Sequence, residues 1–141
     1  MIVYFDTSAL VKLFVLEDGS DLVEGLRSEA DAIATSCIAY VEACAALTRR
    51  YREKRLSHRN YLDARRGLLD QWPDFAIAQV NEVQAGELAA KYKLRGLDAI
   101  HIEAANEVRK HTKSSPTFCT FDERQAEAAI AERFNVVPGL H

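Results

Sequence analysis

Ile2-Val3-Tyr4-Phe5-Asp6-Thr7-Ser8-Ala9-Leu10 is the stretch whose reading decides the fold. Four consecutive apolar residues, mostly good β-formers, read as a strand buried on both faces, as in a parallel sheet. An acid and two hydroxyl residues follow at once. Thr7 and Ser8 supply a helix N-cap, and the mostly apolar segment from Ala9 to Phe14 continues as helix. The chain therefore opens as strand, acidic turn, helix.

The same alternation continues outward from this unit. Ser20 caps a second short helix that ends near Ser28, and residues 32–35 are a weak strand candidate. A long helix is expected over residues 38–54. Ser57 caps another over residues 58–70, which Trp72-Pro73 terminates. Residues 75–80 read as a strand, and Asn81 caps a helix reaching Tyr92. Gly96 breaks the chain before a helix over residues 98–111. Residues 116–121 form a strand, Asp122 opens a helix to about Glu132, and residues 134–137 suit a last strand. Strands alternating with helices define an α/β fold, a parallel sheet covered by helices on both faces. In such sheets the functional crevice lies outside the carboxyl ends of the strands.

A length of 141 residues suits one compact domain, and 48% hydrophobic residues can fill a core. No apolar run approaches the roughly 20 residues of a membrane span, and the first is cut short by Asp6 without a basic leader. A cytoplasmic location with no membrane partner is expected. The three cysteines, Cys37, Cys44 and Cys119, show neither CxxC nor Cys–His spacing, so a zinc site is not indicated. Cys37 and Cys44, seven apart, read as small packing residues on one helical face. The net charge of −3 does not suggest a nucleic-acid binder as a whole. Residues 49–66, however, hold eight basic residues against two acids, a local +6 that leaves −9 on the remainder. Such a stripe is either a solvated helical hairpin or a phosphate contact.

Four carboxylates stand out. Asp6 follows the first strand and Asp122 the strand over residues 116–121, so both face the same sheet edge. Each also suits a helix cap, where the macrodipole favours an anion. Glu42 has Ile38, Ala45 and Ala46 as helical neighbours, which places a carboxylate on an apolar face. Such a group needs an ion pair, a proton or a metal. Asp98 opens its helix after the basic loop Lys93-Leu94-Arg95-Gly96, as a cap or as part of a phosphate-and-metal site. Like charges gathered in one crevice repel, and a divalent cation relieves them. Oxygen ligands without Cys or a His pair point to Mg²⁺ or Mn²⁺.

Asp6-Thr7-Ser8-Ala9-Leu10, Glu42 in a long helix, Leu97-Asp98-Ala99-Ile100-His101 and Thr120-Phe121-Asp122 resemble, in order and spacing, the PIN-domain family. Within it the chain looks most like the VapC-type toxins of toxin–antitoxin pairs, from Ile2 to Val137. The resemblance implies a three-layer α/β/α fold with a short central parallel sheet, and an endoribonuclease with a Mg²⁺ or Mn²⁺ site. Family roles carry to Asp6, Glu42, Asp98 and Asp122 as metal-organising carboxylates, with Thr7 and Thr120 in supporting positions. A cognate antitoxin and a homodimer are implied as well.

The expected reaction is hydrolysis of single-stranded RNA, with Asp6 and Asp98 as the most direct ligands and Glu42 and Asp122 completing the set. His101 lies on the Asp98 face of its helix and is read as a packed structural residue. Tyr40, Tyr51, Tyr61 and Trp72 receive no role. Two other classes compete. A phospho-accepting α/β signalling domain would need a second acid beside Asp6, and an Asp-x-Asp phosphatase would need one where Ser8 stands. A non-catalytic binding module on the same fold would have had no need of the full acidic set.

Overall fold

The computed structural model describes residues 1–139. Among these, five strands and seven α-helices alternate along the chain: β1 Ile2–Phe5, α1 Thr7–Leu10, α2 Ser20–Glu29, β2 Ala32–Ser36, α3 Ile38–Arg52, α4 His58–Gln71, β3 Ala76–Ala78, α5 Glu82–Tyr92, α6 Gly96–Thr112, β4 Thr117–Cys119, α7 Glu123–Ala131 and β5 Asn135–Val137. All strand pairs are parallel, in the order β3-β2-β1-β4-β5. The α/β/α layering expected from the alternation is therefore present. No helix among the described residues is long and apolar enough to cross a membrane.

The central position of β1 follows from its composition. Val3 and Phe5 point into one layer, with Leu10, Leu47 and Leu68 from α1, α3 and α4. Tyr4 points into the other, with Ile102 of α6, Leu88 of α5 and Ala129 of α7. Only a strand without a solvent face can serve two cores, and the side-chain period of two makes the division. The edge strands β3 and β5 have three residues each, and short edges limit pairing with foreign chains.

Several boundaries differ from the expectation. The strand expected over residues 75–80 is reduced to Ala76–Ala78, and that over 116–121 to Thr117–Cys119. Each pairs only where its neighbour offers a partner. Thr7 and Ser8 do not cap α1. Asp6 does, its Oδ1 accepting from the Ala9 amide at 3.0 Å, because a carboxylate one residue earlier reaches the free amides of the first turn. Ser20 is likewise the first helical residue of α2, and Gly19 is the cap. The helix carrying Asp98 opens at Gly96 with Arg95 as its cap, so Asp98 lies inside the first turn. There the helix dipole still favours its charge. Cys37 is exposed at the start of α3 and not a packing residue, Cys44 is half-buried and Cys119 is buried; all three are free thiols.

Gly19 has φ +93°, and a Cβ built there would stand 2.6 Å from Cε1 of Phe121. Left-handed backbone and the ring together exclude a side chain. Gly19→Ala is expected to cost about 2–3 kcal/mol in urea denaturation. Unchanged stability would mean that neither constraint operates.

Glu132 ties α5, α6 and α7 together. Its carboxylate accepts from the Tyr92 hydroxyl at 2.6 Å and from Asn106 Nδ2 at 3.3 Å, and its carbonyl accepts from Arg109 at 2.9 Å. Burial pushes its acidity down, but the Tyr92 and Asn106 hydrogen bonds and the Lys91 and Arg109 charges outweigh it and hold the pKa below its usual value. A carboxyl depressed in the folded state stabilises above its unfolded pKa, about 4.3, and that contribution disappears as pH falls through the folded value. Glu132→Gln should therefore cost about 1 kcal/mol at pH 7 and progressively less toward pH 3. Denaturation across that range measures it; a cost independent of pH would refute the charge-based account.

Candidate active site

The sheet topology brings the ends of β1 and β4 side by side, with Phe5 opposite Cys119 in register. The turns that follow them carry Asp6 and Asp122, so both acids emerge at the carboxyl edge of the sheet. Helix α3 brings Glu42 and helix α6 brings Asp98 to the same edge. All four carboxylates line one pocket of about 720 Å³, together with Thr7, Ser8, Arg49, Arg50, Arg95 and His101. The acids expected from sequence converge.

They do not share one environment. Asp6 is 4% exposed and is surrounded by donors: Ser8 Oγ gives Oδ1 a hydrogen bond at 2.7 Å, and the Thr120 hydroxyl donates to Oδ2. These hydroxyls also join the two strand ends. Ser8 Oγ accepts from the Phe121 amide at 2.9 Å, and Thr120 Oγ1 accepts from the Asp122 amide at 3.1 Å. Thr120 thus supports the site from beneath. Burial raises the pKa of Asp6, and His101, Ser8, Thr120 and the Ala9 amide only partly offset it. An ionised carboxylate left with this deficit is a group that a cation would stabilise.

Glu42 is half-buried, and its partner is a histidine rather than an arginine. Its Oε1 lies 2.9 Å from His101 Nε2 and accepts from Thr7 Oγ1 at 2.6 Å. Burial pushes the Glu42 pKa up, yet the hydrogen bonds from His101 and Thr7 lead the effects that overcome it and hold the carboxyl below its ordinary value. Since a carboxylate can only accept, Nε2 of His101 carries the hydrogen. In the neutral ring Nδ1 then accepts from the Tyr4 hydroxyl at 2.7 Å. Burial, with the charges of Asp6 and Glu42, raises the Tyr4 pKa well above its usual value and keeps the phenol protonated as that donor.

His101 is therefore more than core filling: it is 2% exposed, but its inner nitrogen is bonded to the sheet and its outer one to an acid of the pocket. Its i+3 spacing from Asp98 placed it on the correct face. What the spacing lacked was the Tyr4 hydroxyl across the sheet. Ser8, read only as a cap, is the other contributor that sequence reasoning missed.

Asp98 is 18% exposed in its side chain and takes a hydrogen bond from Arg95 Nε at 3.2 Å, within one helical turn. Asp122 accepts from the Gln125 amide at 3.1 Å and caps α7. Asp122 thus keeps the cap that local sequence suggests, Asp98 lies within the first turn of α6 without capping it, and both face the pocket. Among the basic groups, Arg50 is taken up by Glu17, at 3.2 and 3.1 Å, which also holds Lys12.

The donors facing the pocket are carboxylates and hydroxyls with a single imidazole, a set whose chemistry fits a hard divalent cation. Among the described residues, no three His, Cys, Asp or Glu side chains are gathered closely enough to hold an ion between them. The reason is visible in the bonds above. Asp98 is turned to Arg95, Glu42 to His101 and Thr7, and Asp6 to its hydroxyl donors.

A parallel sheet of order 3-2-1-4-5 with an acidic pocket at its carboxyl edge defines a class of protein, and the PIN domain family model matches residues 3–131. The chain belongs to the PIN domain family. It is VapC-like within that family: it is 39% identical over 107 residues to ribonuclease VapC45 of Mycobacterium tuberculosis CDC 1551, covering 74% of each chain. The same figures hold for ribonuclease VapC49 of M. tuberculosis H37Rv. The fold is shared with PAE2754 from Pyrobaculum aerophilum, at TM-score 0.62 and 19% identity over 90% of this chain and 84% of that one. It is shared also with a toxin–antitoxin complex from Klebsiella pneumoniae, at TM-score 0.61 and 17% identity over 96% and 95%.

Proposed function

We propose that this chain is a divalent-metal-dependent endoribonuclease acting on single-stranded RNA, the toxin half of a toxin–antitoxin pair. The convergence of Asp6, Glu42, Asp98 and Asp122 from four elements on one pocket carries the reading. The VapC names of its relatives support the choice of RNA and of an antitoxin as partner. A cytoplasmic homodimer belongs to the same proposal.

Asp6 and Asp98 would hold a Mg²⁺ or Mn²⁺ ion most directly, and Glu42 and Asp122 would complete the set. Bound there, such an ion lowers the pKa of a coordinated water and offsets charge on the phosphodiester in the transition state. The chain's own residues prepare the site. Ser8 and Thr120 hold the Asp6 carboxylate in one orientation through both of its oxygens. Thr7 and His101 do the same for Glu42. Arg95 is 78% exposed in its side chain, and its pairing with Asp98 is a surface ion pair of about 0–1 kcal/mol, weak enough to be exchanged for another cation. Arg49 faces the acids from α3 and can meet a non-bridging phosphate oxygen.

The test is cleavage of structured and unstructured RNA with Mg²⁺, with Mn²⁺ and with EDTA, beside Asp98→Asn. Cleavage of unstructured RNA, abolished by EDTA and by the substitution, is expected. Cleavage indifferent to both would overturn the mechanism. Growth arrest on expression of wild type but not of Asp98→Asn tests the toxin assignment, and light scattering tests the dimer.

A further inference from the structure

Half of the eight basic residues of the α3–α4 hairpin are paired with carboxylates. Arg50 is bound to Glu17, Arg55 to Glu53 at 2.7 Å, Arg59 to Asp63 at 3.6 Å and Arg66 to Asp70 at 3.1 Å. Arg49, Arg52 and Arg65 are paired with no carboxylate among the described residues, and these three line a single groove of about 760 Å³. Lys54 is also unpaired but lies at the turn between the helices, outside the groove.

Three uncompensated guanidinium groups in one groove repel one another. The arrangement is tolerable in water and favourable once an anion with several oxygens lies between them. Arg65 is held ready for such a contact. Its guanidinium lies 5.8 Å from the centre of the Tyr61 ring, and the Tyr61 hydroxyl is itself fixed by Thr48 at 2.9 Å. The one acid on the groove, Glu53, is engaged by Arg55. The remaining lining residues, Cys44, Ala45 and Thr48, are small and offer no pocket for the large apolar anchor on which a protein partner depends.

Arg49 belongs to this groove and also to the pocket of the four acids. It follows Glu42 by seven residues, two turns or about 10 Å along α3. A polymer whose scissile phosphate sits at the acids must lay its neighbouring phosphates on the adjoining surface, and that surface carries Arg49 and then Arg52 from α3, with Arg65 from α4. The geometry points to an accessory phosphate track, Arg49–Arg52–Arg65, that binds the RNA strand on the α3 side of the cleavage site. The inference rests on the ribonuclease reading for its ligand, but not on catalysis.

Binding is therefore measured without cleavage, by fluorescence anisotropy of a labelled single-stranded RNA in EDTA, for wild type, for Arg49→Ala/Arg52→Ala/Arg65→Ala and for Arg59→Ala/Arg66→Ala. The last pair removes the same type of side chain, two guanidinium groups in place of three, from the same hairpin outside the groove. Loss of three phosphate contacts should weaken binding roughly tenfold or more and reduce the slope of log K against log salt by about 2, at ~0.7 per phosphate. The control pair should keep the wild-type slope. Arg52→Glu alone, with its melting temperature checked, guards against misfolding of the triple variant and should weaken binding in the same direction. A wild-type slope in the triple variant, or an equal loss in the control pair, overturns the track. So does unchanged RNA affinity combined with lost binding of an acidic peptide, which would assign the groove to a protein. If wild type binds RNA through these arginines yet never cleaves it, the ribonuclease reading fails and the track stands.

Discussion

Replacing Asp6 by asparagine should lower RNA cleavage in Mg²⁺ by about three orders of magnitude, ~4 kcal/mol of transition-state stabilisation, with no loss of thermal stability. The two halves of that result have one cause. Asp6 is buried, and its hydrogen bonds from Ser8, Thr120 and Ala9 do not fully compensate the loss of water, so its pKa is raised. A carboxyl whose pKa is raised by folding binds more protons folded than unfolded, so its ionisation destabilises the metal-free protein as pH rises through that window. Asparagine keeps the shape and an acceptor for the Ala9 amide while removing the charge. Metal-free melting at pH 7 should therefore leave Asp6→Asn equal to or above wild type, and single-turnover cleavage should show the loss. A variant inactive only because it melts earlier, or one that cleaves at the wild-type rate, would contradict the role given to Asp6.

Phe118→Ala should be the most damaging of the core truncations, at about 3–5 kcal/mol, or roughly 10–15 °C in melting temperature. Phe118 has no exposed surface and lies in β4 directly beside Tyr4 of β1. Its ring stacks on Tyr4 with centroids 5.2 Å apart and meets Phe134 at 5.8 Å. The cavity would open between the sheet and the layer formed by Leu88, Ile102 and Ala129, where the paired backbones of β1 and β4 cannot close in upon it. The same Tyr4 positions His101 and through it Glu42, so residual activity at low temperature should fall as well. A cost below about 1.5 kcal/mol would mean that the layer above the sheet repacks freely.

The fold was largely legible because its signals are local. A doubly buried strand such as Ile2–Phe5 announces itself by lacking polar residues, and Ser57 and Asn81 cap helices where their side chains predict, each accepting from amides two or three residues ahead. Where two candidates stood together, local chemistry did not choose. Asp6 took the cap from Thr7 and Ser8, and Gly19 took it from Ser20. The three-residue strands β3 and β4 were overestimated for another reason: their length is set by the partner strand, not by their own propensity.

By itself the sequence determined the alternation of strand and helix, the placing of four carboxylates at element ends or on helical faces, and the family to which their order belongs. These depend on residues a few positions apart, and a chain's covalent spacing specifies them. Only the tertiary structure decided how the opening Ile2–Leu10 unit works. Asp6 is both helix cap and buried acid, and it is held from across the sheet by Thr120, 114 residues away. His101 joined the site only when α6 packed against β1 and met Tyr4. Arg49, Arg52 and Arg65 became a separate set only when their neighbours found acids to pair with. Each of these is a contact between distant segments, where burial and the competition for partners, rather than spacing, settle what a side chain does.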